Sequence, residues 1–542
     1  MNELRQTAEL LQRLTAGKHR FSSKKGKKPI TDALFFAGLL DGSIRTDREA
    51  AQFLFDSPEI TVTYRSAKSR FCARLEKELL TVTIDRKKDG EYQWALVECT
   101  RMASIIKMLS SYGKSVAALA YCNYTLTIAT EYHLTTIQSE MLRLLQQDAK
   151  ARGNRKDFES LTMRRREVAR RAAAEAEIEE EYLRIATIAA QNSAPDTQDI
   201  DHALRALRSL EERYASEESY DYRATLFRLK VYVYSITGDH TASVKSCNEF
   251  ELYYERYPQF ASIMRYAEIS YRRMTEYIFM RKLAEARAES VTLKAVLPVG
   301  TPNWCYCMVN YIELCLQMLE FTEAAEAVVQ FEKYVSKRET LRMFKERVKL
   351  YKGYLWYVYQ SGRAQNQGAE LVQYPFVLRA PSVTKADFSF SQKDKQGANF
   401  AFIVLLFLKH LNAGTLHKMS EEALAKYEQR YRKEKPTRAF IFSKLLRSLL
   451  RIGASIEKII SAAQPLLIKL DQLPRTLDSA EIYPFEFLWE HIVGRRIIQL
   501  EHQRVLKEVV AAAAMVNPVD GVIEVVRLGE GAEPAKISHA AS

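Results

Sequence analysis

The sequence has little of what breaks or staples a chain. With 19 glycines and 14 prolines in 542 residues, tight turns are scarce, which argues against a turn-rich β architecture and for long helices. Cysteines number seven and are scattered, so a disulfide-stapled secreted scaffold is excluded and a reducing, cytoplasmic setting is expected. The longest apolar run, Phe400–Leu408, stops at nine residues, short of the roughly 20 that a membrane-crossing helix needs. Met1-Asn2-Glu3-Leu4-Arg5 leads into basic residues without an apolar segment, so neither a secretory signal nor a membrane partner is expected.

Catalytic signatures are missing as well. The chain has no G-x-S-x-G, G-x-G-x-x-G or H-E-x-x-H, and its nine histidines are dispersed. Gly113-Lys114-Ser115 ends like a phosphate-binding loop, but Met108 stands where that loop needs a glycine. Cys305, Cys307 and Cys315 do not have zinc-pair spacing and lie among Trp304, Tyr306 and Met308, as helix-core residues do. The expectation is a chain without enzymatic activity, cofactor or metal.

What is present is globular: 47% of residues are hydrophobic and 27% charged. A chain this long needs several cores or one repetitive core. The net charge of +13 is uneven, because residues 1–30 hold eight Lys or Arg against two Glu. Lys18, Arg20, Lys24, Lys25, Lys27 and Lys28 are the candidate nucleic-acid contacts of this basic arm, which is expected to be flexible and to bind weakly and salt-dependently. A second charge block, Arg164-Arg165-Arg166 and Arg170-Arg171 followed by Glu175 to Glu181, is a solvated helix face or an arginine cluster for an acidic partner or RNA backbone.

A turn motif recurs: a glycine, polar or small residues, then an apolar helix start. It is seen at Gly113, Gly153 and Gly238, without its glycine at Leu319-Glu320, and again at Gly362, Gly414 and Gly453. With further breaks near Ala194-Pro195-Asp196 and Arg281–Ala284, the period is about 40–43 residues. Each period splits into two helices, with apolar positions such as Leu226, Leu229, Tyr232 and Val233 on one side. One pair cannot bury its inner stripe alone, so the expected fold is all-α, an α-solenoid of stacked helical hairpins. Glu320-Phe321-Thr322-Glu323-Ala324, with Phe331 and Tyr334 following, resembles a tetratricopeptide (TPR) repeat. The period exceeds that family's and the Trp-Leu-Gly-Tyr signature is missing, so the repeat is TPR-like, with HEAT-type pairs as the alternative. Phe390–Asn399 and Glu481–Glu490 resemble stretches of an uncharacterised family of long helical bacterial proteins; that resemblance implies helical architecture and no activity.

Ahead of the repeats, helices are predicted over Thr31–Leu40, Thr46–Phe55 and Tyr64–Leu80, the third basic. They form an N-terminal cap or a helix-turn-helix-like unit, and Thr81 to Leu96 alternates like a strand hairpin. The predicted organisation is a basic arm (1–30), an N-terminal helical unit (31–90), TPR-like repeats (91–365), an inserted loop (366–398), C-terminal helical repeats (399–515) and a disordered tail (516–542). The functional expectation is a protein–protein interaction scaffold with a concave groove at Arg265, Tyr266, Tyr271, Arg272 and Arg273, where aromatic and arginine density is highest. Its rival is a nucleic-acid-associated regulator using the basic arm and the helix-turn-helix-like unit.

Overall fold

The start of the third helix shows how local chemistry sets these elements. Thr46 Oγ1 accepts from the Glu49 N–H at 3.2 Å while a Glu49 carboxylate oxygen accepts from the Thr46 N–H at 3.0 Å. This reciprocal box satisfies two of the amide donors that a helix start leaves open. In the computed structural model every regular element among the described residues is helical. The structure describes residues 1–15, 21, 31–190, 197–336, 342–362, 367–379, 398–416, 421–431, 437–451, 456–473, 481–494 and 497. They fall into two units, one up to residue 314 and one from residue 315 onward.

In the first unit, α1 (Asn2–Leu14), α2 (Thr31–Asp41), α3 (Asp47–Phe55) and α4 (Val62–Thr81) share one core built on Leu11, Phe35, Phe36, Phe71 and Leu75. Part of the segment read as a flexible arm is therefore a packed helix: Ala8 and Leu11 of α1 are buried, and Phe21 stacks on Phe36 at 5.0 Å. Charge alone marks this segment as solvated, but Leu4, Ala8 and Leu11 recur at helical spacing and form an apolar stripe. Lys18, Arg20, Lys24, Lys25, Lys27 and Lys28 lie outside the described residues.

The expected strand hairpin at Thr81 to Leu96 is helical instead. α5 (Arg86–Asp89) and α6 (Glu91–Ser111) occupy it, and Arg86 lies over the Trp94 ring at 3.2 Å, closing the short helix onto the long one. α7 (Ser115–Glu131), α8 (Thr135–Ala151) and α9 (Arg155–Ala190) follow, each packed on the one before it. Next come α10 (Thr197–Arg213), α11 (Tyr220–Thr237), α12 (His240–Arg256), α13 (Ile263–Phe279) and α14 (Leu283–Val296), and α15 (Pro302–Gln317) leads out of the unit.

The predicted turns are where the sequence placed them. Gly113, Gly153, Gly238, Gly362 and Gly414 all have φ between +67° and +78°. At Gly113 the Lys114 N–H reaches Leu109 O at 2.8 Å and the Gly113 N–H reaches Ser110 O at 3.2 Å, a pattern that caps the last carbonyls of a helix. The same pair of bonds recurs at His133, Gly153, Gly238, Arg281, Leu319 and Gly414. At Gly113, His133, Gly238, Arg281 and Leu319 the residue after the left-handed one is already the N-cap of the next helix. Gly453 and Ala194–Asp196 lie outside the described residues.

The second unit contains α16 (Phe321–Val335), α17 (Arg342–Gln360), α18 (Gly368–Leu371), α19 (Pro375–Leu378), α20 (Ala398–Asn412), α21 (Glu422–Tyr431), α22 (Arg438–Arg451) and α23 (Ile456–Gln472). Part of the expected inserted loop is thus two short helices, α18 and α19, while residues 380–397 lie outside the described set. Gly353 lets α17 and α20 approach closely, since a Cβ there would stand 2.3 Å from Leu405 Cδ2. Arg438, buried, pairs with Glu481 at 2.8 Å and Glu486 at 2.5 Å. The 516–542 tail lies outside the described residues. No helix among the described residues is long and apolar enough to cross a membrane.

Candidate functional site

The arginines and tyrosines expected to line a groove sit on α13, and three of them are engaged within the unit. Arg265 lies over the rings of Tyr92 and Tyr220, at 4.7 and 4.3 Å, and donates to Phe260 O at 2.7 Å. Arg272 lies over Tyr232 at 5.1 Å and Tyr271 at 5.9 Å. Arg273 bridges Glu251 of α12 and Glu289 of α14, the latter at 2.7 Å, with its side chain only 15% exposed. The expectation that these three stand exposed is corrected: helix stacking turns them inward, where cation–π and ion-pair contacts replace water. Tyr266 packs on Tyr254 at 5.6 Å, and burial pushes the Tyr271 phenol up to about 12.

The open surface lies one pair earlier. A groove of about 320 Å³ runs along α11 and α12, with Arg223, Lys230, Glu249, Leu252, Tyr253 and Arg256 among its lining residues. Leu252 is 61% exposed, an apolar side chain offered to solvent between charges of both signs. Lys230 is held by Glu211 at 2.7 Å and Arg223 by Glu218 at 3.3 Å, while Arg256 lies over Tyr257 at 5.1 Å. The groove falls largely within the 226–280 stretch whose Tyr and Arg density is high, but its lining residues are not the five named on α13, because they alternate between core and rim within one helix pair; the clue was Leu252, an apolar residue off the buried Phe250, Tyr254 stripe.

Three other clusters come closer to chemistry. Ser235, Glu276 and His240 converge in the interior: Glu276 accepts from the Ser235 hydroxyl and pairs with His240 Nδ1 at 2.6 Å. The carboxylate lies between hydroxyl and imidazole, whereas nucleophile activation needs the imidazole beside the hydroxyl. This trio pins α11, α12 and α13 together. A second cluster joins α8, α9 and the N-cap of α11, where Glu175 accepts from Thr135 at 2.7 Å and from Ser219. Burial raises the Glu175 pKa even though both hydroxyls oppose the shift. Third, donor atoms of Cys315, Glu320 and Glu323 lie within 4.8 Å of one another. Glu320 caps α16 and Glu323 is in its first turn, positions that the positive end of the helix dipole favours for acids. The cysteines behave as core: burial pushes the thiol of Cys122 up to about 11 and those of Cys99, Cys247 and Cys307 up to about 12.

The third basic helix of the N-terminal unit, α4, turns two of its cations inward, Lys68 to Asp47 at 2.7 Å and Arg74 to Asp32 at 2.9 Å. No protein-family model, curated protein or solved structure matches the chain.

Proposed function

We propose that the chain is a non-enzymatic interaction scaffold of the cytoplasm, a solenoid of TPR-like helical pairs whose α11–α12 groove takes a segment of another protein. The observation that carries this reading is the recurrence of one turn. The same two capping bonds and the same left-handed residue join successive helices at Gly113, His133, Gly153, Gly238, Arg281 and Leu319. A turn repeated between successive helices is how a repeat protein multiplies one supersecondary unit, and so tight a link favours TPR-like over HEAT-like pairs. The groove supports the rest: an exposed leucine flanked by Tyr253 and Arg256 offers an apolar anchor site with a charged rim. The competing helix-turn-helix reading gains no support from α4, whose Lys68 and Arg74 are spent on internal aspartates.

The test is capture of a partner by the full-length protein and by the variant Leu252→Glu, Arg256→Glu. We expect a protein recovered near one-to-one by the wild type to be lost with the variant. The thermal midpoint should stay nearly the same, since exposed substitutions usually change stability by less than about 0.5 kcal/mol. Equal recovery by both chains would place the binding surface elsewhere, and no stoichiometric partner under any condition would end the scaffold reading.

A further inference from the structure

The hairpin of α8 and α9 carries unbalanced positive charge. Of its carboxylates up to residue 171, Glu140 pairs with Lys107, Asp148 with Arg152, Glu159 with Arg155 and Glu167 with Arg170, and Asp157 accepts from the Asn154 amide at 2.6 Å. These pairs leave Arg143, Lys150, Lys156, Arg164 and Arg166 exposed and without an ion partner among the described residues. Arg165 donates only to the neutral Gln146, at 3.1 Å.

The neighbouring helix is different in kind. From Ser115 to Thr130, α7 has no charged residue, yet it is far from buried: Val116 is 84% exposed, Tyr121 44% and Tyr124 51%. The register across the three helices is set by two contacts, Cys122 Sγ to Met141 O at 3.3 Å and the Gln146 amide to Thr162 Oγ1 at 2.7 Å. The helices run antiparallel, so these contacts put Tyr121 level with the Met141–Arg143 stretch of α8, and Arg143 level with Arg165 of α9. Tyr121, Arg143 and Arg165 therefore stand at about one level, midway along α7 and α8, while Lys150 and Lys156 lie at the α8–α9 turn.

We propose that the exposed surface of α7, α8 and α9 around this level binds single-stranded nucleic acid, with phosphates on the free cations of α8 and α9 and bases against Tyr121 and Tyr124. Charge complementarity names a polyanion. The cations are strung along two helices rather than gathered around an enclosed apolar anchor, which is what a folded acidic protein would need for tight binding. Exposed tyrosines at the same level supply base stacking of about 1–3 kcal/mol per base, which only an unpaired strand can use. The inference does not rest on the α11–α12 groove, and variants there should not affect it.

Fluorescence anisotropy of a labelled single-stranded RNA of about 20 nucleotides, titrated with the full chain between about 50 and 200 mM salt, tests the proposal. Arg143→Ala, Arg164→Ala and Arg166→Ala together should weaken binding at least tenfold. They should also flatten the log–log salt slope by about 2, three lost phosphate contacts at about 0.7 each. Tyr121→Ala with Tyr124→Ala should weaken binding and leave the slope unchanged. A chain with Lys24, Lys25, Lys27 and Lys28 replaced by Ala should still bind. Circular dichroism melts of each variant should match the wild type. The proposal fails if the wild type does not bind at low salt, or if the lysine variant loses all binding while the arginine variant keeps it. It also fails if polyglutamate displaces the RNA as well as unlabelled RNA does, which would name an acidic protein as the occupant.

Discussion

His133 occupies a turn where the chain needs a left-handed residue and the start of α11 needs an acceptor. Its φ is 54°, and its Nδ1 accepts the Tyr220 N–H at 3.2 Å while the ring packs on Phe260 at 5.0 Å. Burial, with Arg171 nearby, lowers its pKa below the ordinary histidine value. The sign follows: as pH falls from about 6.5, the unfolded chain takes up a proton that the folded chain still refuses, so stability is full above that range and is lost through the folded value. His133→Asn keeps an acceptor and tolerates the left-handed region. Between pH 7.5 and 5.5 the unfolding free energy of the wild type from urea titrations should fall more steeply than that of His133→Asn, by up to about 1.4 kcal/mol per pH unit; parallel curves would show that another group titrates. Arg273 makes a related point. Removing it would leave Glu251 and Glu289 facing each other without their shared cation, so substitutions on α13 report on stability before they report on binding.

Among the elements, the connecting turns carry the clearest consequence. Arg281 and Leu319 hold φ of 59° and 62°, where an L side chain crowds its own backbone and glycine does not. Arg281→Gly is expected to stabilise the first unit by about 0.5–1 kcal/mol, and Gly238→Ala to destabilise it by about 1 kcal/mol. Urea unfolding measures both, and equal midpoints for the two variants would refute the account. Helix α9 shows the opposite compromise. Its basic half precedes its acidic half, against the helix dipole, yet neighbours answer the acids: Glu177 pairs with Arg213 of α10, and Glu175 is held by Thr135 and Ser219. The sequence predicted a pair of helices in this period, but one 36-residue helix fills it; partners on other helices make its charge order tolerable.

For the whole chain, the consequence lies at the N-terminus. Residues 1–30 read as a solvated leader by charge, but Ala8, Leu11 and Phe21 belong to the core that also holds Phe36 and Phe71. Deleting residues 1–30 should lower the stability of the N-terminal helices by at least the roughly 3–5 kcal/mol that a single buried phenylalanine is worth, seen as an early phase in urea unfolding monitored by circular dichroism. An unchanged unfolding curve would restore the flexible-arm reading. Deletion is for the same reason a poor probe of nucleic-acid binding, and lysine substitutions are the better one.

By itself the sequence determined that the chain is all-helical, and it placed α2, α3 and α4 to within two residues and the turns at Gly113, Gly153, Gly238 and Gly414. Glycine scarcity, apolar spacing and caps are local properties, set by backbone sterics and by hydrogen bonds a few residues apart. It misread Thr81 to Leu96, where a short alternation imitates a strand but Arg86 folds back onto Trp94. Only the tertiary structure decided which arginines are free. Arg265, Arg272 and Arg273 on one helix, and Arg143, Arg164 and Arg166 on two others, are equally charged and equally helical in the sequence. The first three meet carboxylates, aromatic rings and a backbone carbonyl from neighbouring helices, and the second three meet water, because pairing across helices depends on which faces stack and not on the order of residues along any one of them.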